Sequence, residues 1–98
     1  MLMPKVSAHQ AKEWGLIWEV VEDSKLMDTV MALAEHLATQ PTLGFAYTKQ
    51  SFAASMTNAL DEQLELEKTL MRTAGFTDDY AEGVAAFLEK RQPEYTGQ

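Results

Sequence analysis

The sequence predicts a mainly α fold with about five helices and at most one short strand. Apolar residues recur at intervals of three and four along most of the chain, which places them on one stripe of a helix. Residues that cap helices precede these stretches, and glycine or proline follows them. Only one short stretch combines β-branched and aromatic residues in the manner of a strand.

The first element is a short helix, followed by the single extended segment. A Ser-x-x-Gln capping box starts at Ser7, so a helix is predicted to run from there toward Trp14. Gly15 then ends it. The stretch from Leu16 to Val21 is β-branched and aromatic, which indicates an extended segment or one edge strand.

Four further helices follow, each bounded by a capping residue, a glycine or a proline. They are predicted to run from Asp23 or Ser24 to Gln40, from Thr42 to about Ala54, from Thr57 to Gly75 and from Thr77 to about Lys90. Acidic residues at the start of the last helix suit the helix dipole. Nothing separates the helices as a flexible linker would, so residues 1–98 are taken as a single helical region.

Composition narrows the classes of partner. The net charge of -7 repels phosphate backbones, so no nucleic acid partner is predicted. The chain has no cysteine, which removes disulfides and thiolate chemistry. No apolar run approaches the roughly 20 residues that a spanning helix needs, so no membrane partner is predicted. Together these features predict a soluble, cytoplasmic protein.

The apolar surface is larger than five short helices would bury alone. The 98 residues include nine aromatic side chains, and a lone strand has nothing to pair with. We therefore expect another segment or another subunit to cover part of this surface.

Few residues of the sequence suggest a catalytic or metal-binding role. His9 and His36 lack a second strong ligand at helical spacing, so no metal site is predicted. The acidic residues of the fourth helix suggest either acid–base chemistry or a solvated charged face, and the charged face is favoured. Those residues are Asp61, Glu62, Glu65 and Glu67. No catalytic residue is predicted.

The last helix contains an acidic cluster and, at its end, an aromatic residue followed by two basic residues. Each of the two groups allows two interpretations. Asp78, Asp79 and Glu82 suggest a cation site or, more simply, a helix N-terminus. Phe87 followed by Lys90-Arg91 places a flat apolar ring beside cations. This pair indicates either ligand contact or ordinary charge at a helix C-terminus.

Three passages carry a resemblance to a known family. They are Lys5 to Asp23, Leu37 to Thr42 with Thr48-Lys49-Gln50, and the Glu-Gly-Val-Ala-Ala-Phe-Leu-Glu-Lys-Arg-Gln-Pro sequence from Glu82 to Pro93. In order and spacing they resemble the region after the catalytic core in enoyl-CoA hydratases and isomerases, the crotonase family. Trp14 to Trp18 and Pro93 to Gly97 are most similar to the subgroup that isomerises the ring-epoxide of phenylacetyl-CoA.

The resemblance implies the C-terminal helical portion of a crotonase-type fold, with the catalytic core absent from residues 1–98. It implies a coenzyme A thioester as the substrate of the parent enzyme, no cofactor bound by this chain alone, and assembly into trimers or hexamers. The region would form a lid over the acyl-CoA pocket and part of the oligomer interface. It also implies that Phe87 and Lys90 contact the adenine and phosphates of coenzyme A. Gln92 stands where a lysine is frequent, which removes one cation from that contact.

Three functional hypotheses follow. The first is the C-terminal part of an acyl-CoA isomerase or hydratase, which would not be catalytic alone. The second is a stand-alone helical homo-oligomerisation module that does not bind coenzyme A. The third is a small acyl-CoA binding protein without catalysis. Whether the chain counts as an enzyme depends on the first of these.

Overall fold

The computed structural model describes residues 4–98, and these residues form five α-helices. They are α1 (Ala8–Glu13), α2 (Leu26–Ala38), α3 (Thr42–Ser55), α4 (Leu60–Ala74) and α5 (Asp78–Glu89), with a 3-10 turn at Asp23–Lys25 before α2. The predicted mainly α class is confirmed. The described residues divide into two compact units, one ending at Leu33 and one comprising residues 34–98.

The first unit begins with α1, which starts and ends where the sequence predicts. The Ser7 hydroxyl accepts a hydrogen bond of 3.1 Å from the amide of Gln10. Gly15 follows the helix with a φ of 74°, a left-handed conformation that favours glycine. Beyond it, Lys12 pairs with Glu19, and this ammonium, helped by the Val20 amide, holds the pKa of the Glu19 carboxyl below its usual range.

Residues 16–21 do not form a strand. They contain bends and irregular backbone, so the edge-strand alternative is wrong. The physical reason is the one that the sequence already suggests: a strand needs a partner, and residues 4–98 contain no other strand. β-branched composition favours a strand only where a neighbouring strand is available.

Three helix starts differ from the prediction. α2 begins at Leu26, because Asp23 and Ser24 lie within the 3-10 turn that precedes it and do not cap it. Thr42 is the first residue of α3 and not its cap, because Pro41 occupies the cap position. α4 starts at Leu60 and not after Thr57, since the amides of Thr57 and Asn58 both bond to the Ala54 carbonyl, at 3.1 and 3.0 Å. These two residues therefore extend the end of α3.

Helices α3 and α4 form a hairpin that is fastened by one glutamine. The Gln63 side-chain amide donates to the Ser51 carbonyl at 3.2 Å and to the Ser51 hydroxyl at 3.0 Å. The Gln63 side-chain oxygen accepts from Asn58 at 3.1 Å, in the connection between the helices. Such satisfied, half-buried polar groups fix the register of the two helices.

Burial within the described chain is slight. Among residues 4–98 only Ala86 and Asp79 are buried, while Phe52, Phe76 and Phe87 keep 70%, 80% and 82% of their surface exposed. A domain that is stable by itself normally encloses its large apolar side chains, because their burial is the dominant favourable contribution to folding. The packing of these helices against each other therefore leaves their apolar faces exposed.

Candidate functional site

A network of polar contacts joins α5 to the residues that follow it. Lys90 ends α5 in the left-handed conformation, with φ 56° and ψ 39°. The amide of Lys90 bonds to the Phe87 carbonyl at 3.3 Å, and that of Arg91 bonds to the Ala86 carbonyl at 3.0 Å. This turn reverses the chain, so that residues 91–98, called here the C-terminal segment, run back along α5.

Glu82 is the first anchor of the C-terminal segment. Its carboxylate accepts two bonds from the Arg91 guanidinium, one of them 2.9 Å long, and a third of 2.8 Å from the Glu94 amide. Arg91, and to a lesser extent the Glu94 amide, lower the pKa of Glu82 from 4.5 to about 2. Arg91 also bonds to Glu89 at 2.6 Å, and the two carboxylates, Glu82 first, raise the pKa of Arg91. A charge-assisted, forked arrangement of this kind is the stronger sort of ion pair.

Asp79 is the second anchor. Only 3% of its surface is exposed. One carboxylate oxygen accepts from the Thr96 amide at 2.7 Å and the other from the Gly97 amide at 2.8 Å, while the Asp79 amide donates to the Gln98 carbonyl at 2.9 Å. The sequence indicates an acidic residue at a helix N-terminus here, and the structure adds that it binds the end of the chain.

Two glycines allow the C-terminal segment to lie this close. A Cβ at Gly83 would meet the Tyr95 hydroxyl at 3.2 Å, so the bare backbone of α5 makes room for the Tyr95 ring. A Cβ at Gly97 would meet the Thr42 hydroxyl at 2.7 Å, and Gly97 has a φ of 79°. The segment therefore spans from α5 to the start of α3.

Phe87 and Lys90 lie next to this anchored turn. Phe87 is exposed and lines a shallow apolar depression of about 260 Å³ on α5, together with Tyr80, Gly83, Val84 and Leu88. Lys90 is exposed three residues further on and forms no ion pair with the described residues. An exposed ring and a cation at one helix end have the chemistry to stack on a flat base and to meet a phosphate.

The other polar residues noted in the sequence are placed elsewhere. His9 lies in α1 and His36 in the last turn of α2, far apart in the chain. In α4, Glu62 bonds to the Ala59 amide at 3.0 Å and Glu65 pairs with Lys68 at 3.1 Å, so these carboxylates act as a helix cap and a surface ion pair. Within residues 4–98, no three metal-ligating side chains of the His, Cys, Asp and Glu set come together.

Comparison with known proteins decides the family. All of residues 1–98 match the model of the enoyl-CoA hydratase/isomerase family. The chain belongs to that family. The family resemblance stated from the sequence is confirmed.

Similar members of the enoyl-CoA hydratase/isomerase family are longer than this chain. The 1,2-epoxyphenylacetyl-CoA isomerase of Escherichia coli K12 is 53% identical over 98 residues, which are 100% of this chain and 37% of that protein. A probable enoyl-CoA hydratase of Rhodobacter capsulatus is 45% identical over 96% of this chain and 37% of its own length. The chain thus spans little more than a third of the curated relatives that it matches.

Solved structures give the same result for the fold. The crystal structure of a putative enoyl-CoA hydratase from Streptomyces coelicolor matches the whole chain and 36% of its own chain, with a TM-score of 0.91 and 36% identity. The fold of this family member therefore also occurs within a larger member of the same family. None of the described helices is both long and apolar enough to cross a bilayer.

The pKa of Glu82 predicts how the anchor of this enoyl-CoA hydratase/isomerase family member responds to acid. Because the pKa in the folded chain, about 2, lies below the usual 4.5, ionised Glu82 stabilises the attachment fully above pH 4.5. That contribution is lost as the pH falls from 4.5 through about 2. We expect the Glu94 amide to stay protected from hydrogen exchange at pH 4 and to lose protection near pH 2, and loss already at pH 5 would contradict this assignment.

Proposed function

We propose that this chain is the C-terminal helical region of an acyl-CoA isomerase or hydratase, where it forms the lid of the acyl-CoA pocket and part of the oligomer interface. The observation that carries the proposal is the exposure of large apolar side chains on well-formed helices. The same fold occurs within the larger Streptomyces coelicolor protein named a putative enoyl-CoA hydratase. In this proposal the apolar faces are covered by a catalytic core and by neighbouring subunits.

The substrate that we propose is an acyl-CoA of phenylacetate catabolism. Support comes from the 53% identity with an enzyme named 1,2-epoxyphenylacetyl-CoA isomerase, which extends over the whole of this chain. Related proteins with 30–32% identity carry the names of hydratases, a dehydratase and an acyl-carrier-protein isomerase. The identity to the epoxide isomerase, 53% against 45% for a probable enoyl-CoA hydratase and 30–32% for these proteins, favours its thioester over those of the other relatives.

We propose that the chemical step depends on residues outside this chain. A general acid or base is usually a group whose pKa has moved toward neutrality. The two carboxylates with shifted pKa values, Glu19 and Glu82, have moved in the opposite direction, because each is bound to a cation and to a backbone amide. Such groups remain ionised at neutral pH and are suited to holding structure.

We propose that Phe87 and Lys90 form the edge of the coenzyme A site. Phe87 offers an exposed ring for adenine, and the Lys90 ammonium is available for a phosphate. Both lie at the end of α5, where the backbone bond from Lys90 to Phe87 links their positions. A single cation and a single ring give weak binding on their own, so the complete site is expected to need the core as well.

A chimera tests the proposal. The matched 98-residue part of the Escherichia coli isomerase is replaced by this chain, and isomerase activity is measured beside the parent and beside the parent lacking that part. We expect the chimera to be active and the shortened enzyme to be inactive. In the chimera, Lys90→Ala is expected to raise KM about 10-fold with a smaller change in kcat, since it removes one charge-assisted contact to the substrate.

The controls separate the proposal from its alternative. Lys49→Ala, which removes a lysine from the middle of α3, should leave KM unchanged. If the shortened enzyme is as active as the chimera, the lid role is wrong. If the isolated chain forms a compact oligomer that is indifferent to coenzyme A while the chimera is inactive, the stand-alone oligomerisation module is favoured instead.

A further inference from the structure

We infer that Glu82 is a positioning residue for Lys90, acting through Arg91 and the Glu94 amide. The inference rests on the proposed function, in which Lys90 contacts a phosphate of coenzyme A. It goes further by assigning the orientation and availability of that lysine to an anchored C-terminal segment. Glu82 and the groups that it binds, the Arg91 guanidinium and the Glu94 amide, lie close together in the chain, within residues 82–94.

The backbone of Lys90 requires support. With φ 56° it is the one residue with a side chain among residues 4–98 that adopts a positive φ. The left-handed conformation is disfavoured for residues with a Cβ and persists where the surroundings hold it in place. The carbonyls of Phe87 and Ala86 accept the amides of Lys90 and Arg91, so α5 itself holds the backbone on both sides of Lys90 as far as Arg91.

Glu82 adds a second constraint on the C-terminal side of Lys90, beyond the bond from the Arg91 amide to α5. It lies two turns before the end of α5 and bonds to the side chain of Arg91, the residue directly after Lys90. It also accepts the Glu94 amide at 2.8 Å, which fixes the path of the next three residues. Lys90 is thus held between the end of the helix and a segment that is tied back to that helix.

The same contacts keep the Lys90 ammonium available. Two carboxylates lie near the end of α5, those of Glu82 and Glu89, and both bond to Arg91. A lysine beside uncompensated carboxylates would pair with them. Because both carboxylates bond to Arg91, each already has a cation as its partner, and Lys90 pairs with neither of them. The arrangement gives the two adjacent cations different roles: Arg91 binds protein carboxylates and Lys90 binds substrate phosphate.

The test uses the full 98-residue chain labelled with ¹⁵N, and coenzyme A as the probe. Amide hydrogen exchange of Glu94 reports attachment of the C-terminal segment, and chemical shifts of Phe87 to Lys90 report coenzyme A binding. We compare Glu82→Gln with Glu89→Gln, because both residues bond to Arg91 but only Glu82 bonds to a backbone amide of the segment. Lys90→Ala and the double variant Glu82→Gln/Lys90→Ala complete a double-mutant cycle.

We expect Glu82→Gln to accelerate Glu94 exchange about 10-fold and to weaken coenzyme A binding several-fold, and Glu89→Gln to do neither. If Glu82 acts through Lys90, the double variant binds no more weakly than Lys90→Ala alone. Faster exchange with unchanged affinity would overturn the inference and leave a purely structural anchor. If coenzyme A leaves the chemical shifts of Phe87 to Lys90 unchanged in the unaltered chain, and the KM of the chimera is indifferent to Lys90→Ala, the proposed coenzyme A contact is overturned instead. An unprotected Glu94 amide in the unaltered chain would show that the anchor does not form.

Discussion

Substitution of Asp79 by asparagine is expected to detach the end of the chain and to cost about 3 kcal/mol of attachment free energy. The Asp79 carboxylate accepts one backbone amide on each oxygen, at 2.7 and 2.8 Å, and is almost fully buried. Asparagine keeps one accepting oxygen and turns an N–H group toward the other amide, so that two donors would face each other. Hydrogen exchange of the Thr96 and Gly97 amides measures the effect.

The neighbouring residue provides a matched control for that substitution. Asp78 belongs to the same first turn of α5 and carries the same charge, but it is exposed. Asp78→Asn should therefore lose only the interaction with the helix dipole, about 0.5 kcal/mol. If the two variants release the C-terminal segment to the same extent, the charge at the helix N-terminus matters and the hydrogen bonds of Asp79 do not.

Substitution of Gly97 by alanine is expected to lower the free energy of attachment of the same part of the chain by about 2 kcal/mol. Two costs combine. The φ of 79° is unfavourable for a residue with a Cβ, and the new Cβ would lie 2.7 Å from the Thr42 hydroxyl. The exchange rates of the Thr96 and Gln98 amides, measured in the variant and in the unaltered chain, give the loss of attachment.

A second glycine separates these two costs. Gly15 has a similar φ of 74°, but no atom lies within 4 Å of a Cβ built there. Gly15→Ala should show the conformational cost alone, about 1 kcal/mol, in the exchange of the amides around it. Adding Thr42→Ala to Gly97→Ala should recover the part that is due to the hydroxyl. No recovery would mean that the end of the chain does not approach α3 as the structure describes.

The contacts that hold the C-terminal segment are mainly polar. The apolar faces of the helices are exposed in residues 4–98, yet the C-terminal segment is tied down by two carboxylates and fitted to two glycines. Polar contacts within one short stretch hold without a large hydrophobic core, because each partner satisfies a charged or backbone group of the other. The end of α5 thus keeps its shape where the rest of the surface, in our proposal, depends on a core.

The helix inventory was predictable because its signals are local. Ser7 and Thr77 cap α1 and α5 as predicted, each accepting the amide three residues later at 3.1 Å. The start of α4 was misplaced because Thr57 has the chemistry of a cap but its own amide completes the end of α3. A capping residue can belong to either of two neighbouring elements, and a single sequence does not say which.

The residues of the candidate site were predictable in part, as the helix boundaries were. The sequence places the Phe87 ring shortly before two cations, and the family resemblance implies that Phe87 and Lys90 contact coenzyme A. The structure places both side chains exposed at the end of α5. Their role as a coenzyme A contact stays a prediction. Glu82 was noted only as an acidic residue near a helix start, and its pairing with Arg91, nine residues away, had no local signal.

The sequence by itself determined the helical class, most helix boundaries and the family, because periodicity, capping and motif spacing act over a few residues or follow one linear order. Only the tertiary structure decided which of the two adjacent acids, Asp78 or Asp79, is buried. The partners of Asp79 lie 17 and 18 residues further along the chain. Whether they reach it depends on the reversal at Lys90 and on the room left at Gly83 and Gly97, which are properties of the folded backbone.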